Sequence, residues 1–268
     1  LDEQIAETQE PALQILLKKG FSKPEVENLW DLFSEDYFQR HQSDEVVWQT
    51  EGILNHQTDK PLIIIPEIDE DYDSQSSSVF VYTPDRPNLF AATVAAFHQL
   101  GLVIQDARII TSTNNFSLDT YQVLEEDGSA IGANSERIRE IQYHLQNVLA
   151  TPDSFPNMIR RRTPRQLRHF SKEPEVLISN QIEPRQTVIE IMATDRPGLL
   201  TLIGKTFADL ELQVQGAKIG TFGEKVEDRF IVSDHNMTPI ADEKISRKIC
   251  TSLCNVLRKA SKLDAITS

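Results

Sequence analysis

Apolar positions change their period along the chain, and the changes divide it. In the opening stretch Leu13, Leu16 and Leu17, then Val26, Leu29, Trp30 and Phe33, recur at helical spacing. Pro24 stands where a first helical turn tolerates it, and no period-two alternation intervenes, so residues 1–56 are predicted to be a helical segment. Leu62 to Ile65 is a short β-branched run closed by Pro66, read as a strand, and the polar stretch 69–78 after it reads as a loop. Two longer regions follow, 61–150 and 175–262, separated by a basic linker over 151–174. In each region period-two segments alternate with helical ones.

The two regions are copies of one pattern at a spacing of about 110 residues. Val81-Tyr-Thr-Pro-Asp-Arg-Pro-Asn-Leu-Phe90 aligns with Ile191-Met-Ala-Thr-Asp-Arg-Pro-Gly-Leu-Leu200. Downstream, Ala107-Arg-Ile109 answers Ala217-Lys-Ile219, and Asp119 to Val123 answers Asp228 to Val232. Each copy reads strand, Asp-Arg-Pro turn, helix, strand, strand, helix. The first helices carry the stripes Leu89, Thr93, Phe97, Leu100 and Leu199, Ile203, Phe207, Leu210. The second carry Ile138, Ile141, Leu145, Val148 and Ile245, Ile249, Leu253, Val256. Two one-sided helices per sheet predict an α+β two-layer sandwich, with Leu62 to Ile65 and Val176 to Ser179 adding a strand to each sheet. Ile104 and Ala107, like Val214 and Ala217, are an odd number apart although both belong on the inner face, which predicts a bulge near Asp106 and Gly216.

A formal charge of −14 sets the chain against polyanions, so nucleic acid is not an expected partner. Arg160, Arg161, Arg162, Arg165, Arg168, His169 and Lys172 reverse the sign locally, as a solvated linker or as a dock for an acidic surface. No long apolar run predicts a membrane span, and the expected location is cytoplasmic. The first methionine is Met158 and the chain opens within a helical pattern, so a fragment of a longer protein is expected. Cys250 and Cys254 fall on a helical pattern among Ile249, Leu253, Val256 and Leu257, where an apolar packing role is expected rather than a metal or disulfide.

Candidate chemistry sits at the repeated strand-to-helix junctions. Asp85, Arg86, Pro87 and Asn88 form one, and Asp195, Arg196, Pro197, Gly198 and Leu199 the other. A helix N-terminus presents N–H donors that attract a carboxylate, and an adjacent aspartate holds an ammonium group, a combination that suits a free amino acid. Capping explains the same residues structurally, since Asp caps helices, Pro fits a first turn, and Gly or Asn fits tight backbone. Strand residues Ala107 to Thr111 and Ala217 to Thr221 lack large charges on one face and border room for a small pocket. Arg86 and Arg196 read as surface or interdomain residues, and Asp119 and Asp228 as inward-pointing hydrogen-bonding groups.

These junctions and the strand pattern after them resemble ACT domains, ferredoxin-like modules that bind amino acids allosterically. The resemblance narrows further. Glu35-Asp-Tyr-Phe-Gln-Arg-His41, Thr83 to Phe90, and Arg161-Arg-Thr-Pro-Arg-Gln-Leu-Arg-His-Phe170 are similar to the bifunctional PII uridylyltransferase/uridylyl-removing family. It implies two tandem ferredoxin-like (ACT) domains, each an antiparallel sheet covered by two helices, preceded by a short helical segment. It also implies L-glutamine as effector, the PII nitrogen-signalling protein as partner, no cofactor in these residues, and magnesium for catalytic domains elsewhere. The two loop sets above would be the ligand-binding ones. Asn88 stands where the second copy has Gly198, which predicts unequal sites.

Catalysis within these residues is not expected. None of the 6 histidines is followed by aspartate, as the family's hydrolase site requires, and Gly128-Ser129 has no Asp-x-Asp pair after it. Asp69, Asp71 and Asp73 imitate the start of a calcium loop without its glycine and glutamate. A tandem ACT regulator of another pathway is the alternative. An RNA-recognition sheet would need aromatics where Glu227-Asp228-Arg229-Phe230 stands.

Overall fold

The computed structural model describes residues 2–66, 76–151, 173–181, 185–196, 198–222 and 225–266. Asp69, Asp71, Asp73, Pro197 and the arginine cluster of 160–172 lie outside the described residues.

The opening segment folds as α1 (Asp2–Lys18), α2 (Lys23–Trp30), α3 (Glu35–Arg40) and α4 (Ser43–Asn55). Its starts are written locally: Ser22 and Glu25 form a capping box with Pro24 in the first turn of α2, and Gln42 and Glu45 form another at α4. Leu13 and Leu16 are buried with Val26, Leu29, Trp30, Phe33 and Tyr37, whereas Leu17 of the predicted stripe is 37% exposed.

The first repeat comprises β1 (Leu62–Ile64), β2 (Ser77–Pro84), α5 (Leu89–Gln99), β3 (Leu102–Arg108), β4 (Phe116–Glu125) and α6 (Ser135–Ala150). The second comprises β5 (Glu175–Gln181), β6 (Gln186–Thr194), α7 (Leu199–Asp209), β7 (Gln213–Lys218), β8 (Thr221–Phe222), β9 (Lys225–Ser233) and α8 (Glu243–Ile266). Strands β1 and β5 pair antiparallel with β2 and β6, completing the sheets as expected. Each repeat is thus ferredoxin-like with its extra strand placed first in sequence. Both bulges are present: pairing to β4 skips Gln105 and pairing to β9 skips Gln215, so Ala107 and Ala217 turn inward with Ile104 and Val214. The stripe predicted on α8 is rotated in the fold. Ile249, Leu253 and Leu257 are buried, while Ile245 is 49% exposed.

The repeats are not separate bodies, because their bulged edge strands pair with each other. The sheet runs β1-β2-β4-β3-β7-β9-β6-β5, with β3 and β7 antiparallel and Ala107 opposite Ala217. Ile109 N donates to Gln215 O (3.1 Å) and Ile219 N to Gln105 O (3.0 Å), two bonds that exchange under the repeat relation. Helices α5 and α7 pack across the same seam, where a Cβ on Gly204 would stand 3.3 Å from Ala91 Cα. Pairing edge to edge removes two exposed strand edges at once.

The other face of the sheet distinguishes the copies. In the first, Phe80, Leu118 and Ile110 are buried in one cluster with Trp30, Tyr37 and Val46 of the helical segment. In the second, the equivalents of Phe80 and Leu118 are Glu190 and Glu227, both exposed. The helical segment therefore covers one copy only. A buried polar network fastens it: Tyr37 Oη donates to Gln49 Oε1 (2.6 Å), and His41 Nε2 lies 3.0 Å from Thr120 Oγ1. Arg108 of β3 makes a two-pronged ion pair with Glu45 and donates to the Arg40 carbonyl, and Arg40 donates to Gln215 O (2.9 Å) in the second copy.

Candidate functional site

The first Asp-Arg-Pro junction is built by short-range bonds. Asp85 N donates to Asn115 O (2.8 Å), and the carboxylate accepts from Arg86 N (2.8 Å) and Thr111 Oγ1 (3.2 Å). Arg86 donates to the carbonyls of Leu149 (2.8 Å) and Thr151 (3.2 Å), tying the loop to the end of α6. Asn88 precedes α5 with φ 68°, and its side chain does not cap the helix. Leu89 N donates to Arg86 O (3.3 Å) and Ala92 N to Asn88 O (2.9 Å), so the first-turn N–H groups that face the space before α5 are those of Phe90 and Ala91. The second junction repeats the plan. Arg196 donates to Leu257 O (2.8 Å) on α8, and Gly198 precedes α7 with φ 77°. Asn88 and Gly198 adopt one left-handed conformation, so the Asn-for-Gly difference leaves the backbone at that position unchanged.

A cavity of about 610 Å³ opens at the first junction, within the size range of small-molecule sites. The first copy contributes Asp85, Arg86, Pro87, Asn88, Leu89, Phe90 and Ala91, with Ile109, Thr111, Ser117 and Asp119 from its strands. The second copy contributes Gly204, Phe207, Ala208, Asp209 and Glu211 to Val214 across the seam, and His235 and Met237 from the turn before α8. Asp195, Arg196, Gly198 and Leu199 do not line this cavity. Of the two loop sets singled out from sequence, only the first is brought to it.

Its charge is one-sided: Asp85, Asp119, Asp209 and Glu211 share the lining with Arg86, whose guanidinium is engaged on α6, and with His235. Asp119 is fully buried and accepts from Ser117 Oγ and Tyr121 Oη. Burial pushes its carboxyl up to about 7, and the charge of Asp85 adds to the rise, against the hydrogen bonds it accepts. Burial also raises Asp85 above the ordinary carboxylate range, opposed by Thr111 and the Arg86 amide. The second copy repeats the pair: burial pushes Asp228 up to about 7, with the Gly220 amide opposing and Asp195 adding, and burial raises Asp195. A cationic group placed between such carboxyls would favour their ionised forms. Among the described residues no group of three or more His, Cys, Asp and Glu is disposed to hold a metal ion. No helix among the described residues is long and apolar enough to cross a membrane.

Comparison with known proteins bears on the whole length. The family model described as "Uridylyltransferase GlnD fifth domain" matches residues 1–52, the stretch that forms α1 to α4. The bifunctional uridylyltransferase/uridylyl-removing enzyme of Pseudomonas aeruginosa strain LESB58 is 45% identical over 266 residues, covering 99% of this chain and 30% of the relative. Along 99% of its length this chain is similar to a part of that enzyme. The enzyme of the same name from Ectopseudomonas mendocina strain ymp is 44% identical over 261 residues, and that of Azotobacter vinelandii strain DJ is 45% identical over 257. The chain spans about 30% of the length of these curated relatives.

The seam half of the cavity was not anticipated from sequence. Gly204, Phe207 to Asp209, Glu211 to Val214, His235 and Met237 carry no motif, and reach the cavity only because β3 and β7 pair. The available signal was the repeat itself, since two copies that both end in a bulged edge strand have a natural way to join.

Proposed function

We propose that the chain is the amino-acid-sensing region of a bifunctional uridylyltransferase/uridylyl-removing enzyme, with tandem ACT-type repeats that bind free L-glutamine at their seam. On this reading occupancy biases uridylylation and deuridylylation of the PII protein by catalytic domains outside these residues. The observation that carries the reading is the cavity at the first Asp-Arg-Pro-Asn junction, walled by both repeats. The ligand carboxylate meets the first-turn amides of α5, and the ammonium meets Asp85 and Asp119. The surplus of carboxylates disfavours an acidic ligand side chain, which separates glutamine from glutamate. Because the walls come from two repeats, a bound ligand contributes contacts that depend on their packing, which is the differential affinity an allosteric effector requires.

Calorimetric titration of the chain with L-glutamine, using L-glutamate, L-asparagine and glycine as controls, tests the reading. Selective glutamine binding that Asp85→Asn weakens at least tenfold and Asp195→Asn leaves in place is expected. Equal losses in the two variants, or no preference over glutamate, would overturn it.

A further inference from the structure

The two copies differ at the turn before the last helix, and the difference faces the cavity. Ile131 N donates to Ser77 Oγ (2.9 Å) and Ile240 N to Thr187 Oγ1 (2.8 Å), equivalent bonds that fix the alignment of the two turns. On that alignment His235 and Met237 stand where the first copy has Glu126 and Gly128. Gly128 has φ 84° and Met237 has φ 60°, so both turns need the left-handed backbone, but only one has glycine there. An unbranched side chain is disfavoured in that region, and a residue held there against its preference marks a position to examine for function.

Core packing does not account for the methionine. Met237 is 52% exposed, and its contact within the turn is a weak Ser233 Oγ to Sδ approach of 3.7 Å. The turn is held by other atoms. Asp234 Oδ1 accepts from Asn236 N (2.9 Å) and Thr238 N (2.8 Å), and Oδ2 accepts from Thr238 Oγ1 (2.8 Å). The Met237 side chain is thus dispensable for the turn, yet it lines the cavity together with His235.

We propose that His235 and Met237 read the side chain of the amino acid bound in the first repeat's cavity, Met237 along its methylene stem and His235 at its polar end. A flexible thioether follows an aliphatic stem closely, and the ring nitrogens of an imidazole can hydrogen-bond a carboxamide. Asp209 and Glu211 on the same lining turn away a carboxylate end. The inference rests on the amino-acid reading of the cavity given above. It assigns selectivity to the second copy's turn, and recognition of the ligand's ammonium and carboxylate to the first copy's loop.

The test replaces each residue by the one the first copy uses, Met237→Gly and His235→Glu, and titrates the unsubstituted chain and both variants with L-glutamine, L-asparagine and L-glutamate. Met237→Gly relieves the left-handed strain, so its melting temperature should hold or rise. Its glutamine affinity should nevertheless fall about tenfold, and its preference for glutamine over the one-methylene-shorter asparagine should narrow. His235→Glu should weaken glutamine with little change in melting temperature. Variants that bind glutamine with unchanged affinity and preference would overturn this inference and leave the cavity reading standing. Affinity lost together with a lowered melting temperature in both variants would also overturn it, because the turn would then be structural. An unsubstituted chain that binds none of the three would overturn the cavity reading, and the inference with it.

Discussion

Gly216 has a backbone that any residue could adopt, so its identity is a matter of space, and the space can be tested by the sign of an effect. It lies in β7 beside the seam, opposite Arg108. A Cβ there would stand 2.8 Å from Arg40 Nη2 and 3.2 Å from the Ala107 carbonyl oxygen. The first obstacle is a side chain fastened to Gln215 O at 2.9 Å, and the second is backbone of the paired strand, so neither yields freely. Without obstacles, replacing a strand glycine by alanine stabilises by about 0.5–1 kcal/mol. Overpacking of this kind costs about 1–3 kcal/mol, so Gly216→Ala should lose about 1–2 kcal/mol net, a fall of a few degrees in the melting midpoint. Arg40→Ala removes the nearer obstacle, and in that background the glycine substitution should cost about 1 kcal/mol less. Thermal unfolding of the parent, both single variants and the double variant completes the cycle. A raised midpoint for Gly216→Ala alone, or strictly additive effects, would refute the argument that the helical segment reaches over the seam.

Leu118→Glu copies the second repeat's Glu227 into the face covered by the helices; Leu118 is 0% exposed, so a loss above about 3 kcal/mol is expected, read by denaturant unfolding, against near-neutrality for Glu227→Leu. On the proposed glutamine reading, affinity should rise with pH by up to about tenfold per unit below 7, because Asp119, held protonated by burial with a value of about 7, would have to ionise to meet an ammonium; titrations from pH 6 to 8 in parent and Asp119→Asn check it, the variant losing the slope. His41 is buried, lies 2.8 Å from Tyr37 O through Nδ1, and is held down to about 4 chiefly by burial. Its folded value lies below the unfolded one of 6.5, so the unfolded chain binds the proton first as pH falls. That contribution is fully present above 6.5 and is lost toward 4, by about 3 kcal/mol in all. Asp119 and Asp228 act in the opposite sense, stabilising below their unfolded values and losing that contribution as pH rises to about 7, so His41→Asn must be compared with parent at each pH by denaturant unfolding.

What was legible in the sequence was periodic or repeated. Stripes such as Leu89, Thr93 and Phe97 placed the helices, and the odd spacing from Ile104 to Ala107 located both bulges, because inward-facing residues obey one parity until an extra residue intrudes. The α8 stripe was misplaced by a fraction of a turn because Val256 and Leu257 are both apolar and periodicity alone does not choose between them. The docking of the helical segment left a trace that single-copy reading passes over. Phe80 and Leu118 make the first sheet apolar on both faces, whereas Glu190 and Glu227 keep the second one-sided. The cavity's second wall was not legible, since it depends on which strand edges meet, and local sequence carries no period for that.

The seam is where the separate parts of the molecule come within reach of one another. The Gln215 carbonyl, exposed by the bulge, accepts both the Ile109 amide of the first copy and the Arg40 guanidinium of the helical segment. Ile109 and Val214, on either side of that bond, line the cavity. Arg108, next to Ile109, carries the ion pair to Glu45 on α4. A ligand that alters how β3 meets β7 therefore alters bonds that also position the helices, with no relay of distant side chains needed. On the proposed reading, ligand binding would change these bonds together, because closed packing resists graded deformation. The helical segment bonds to both copies but covers only one, so on the proposed reading it is the part that would register such a change.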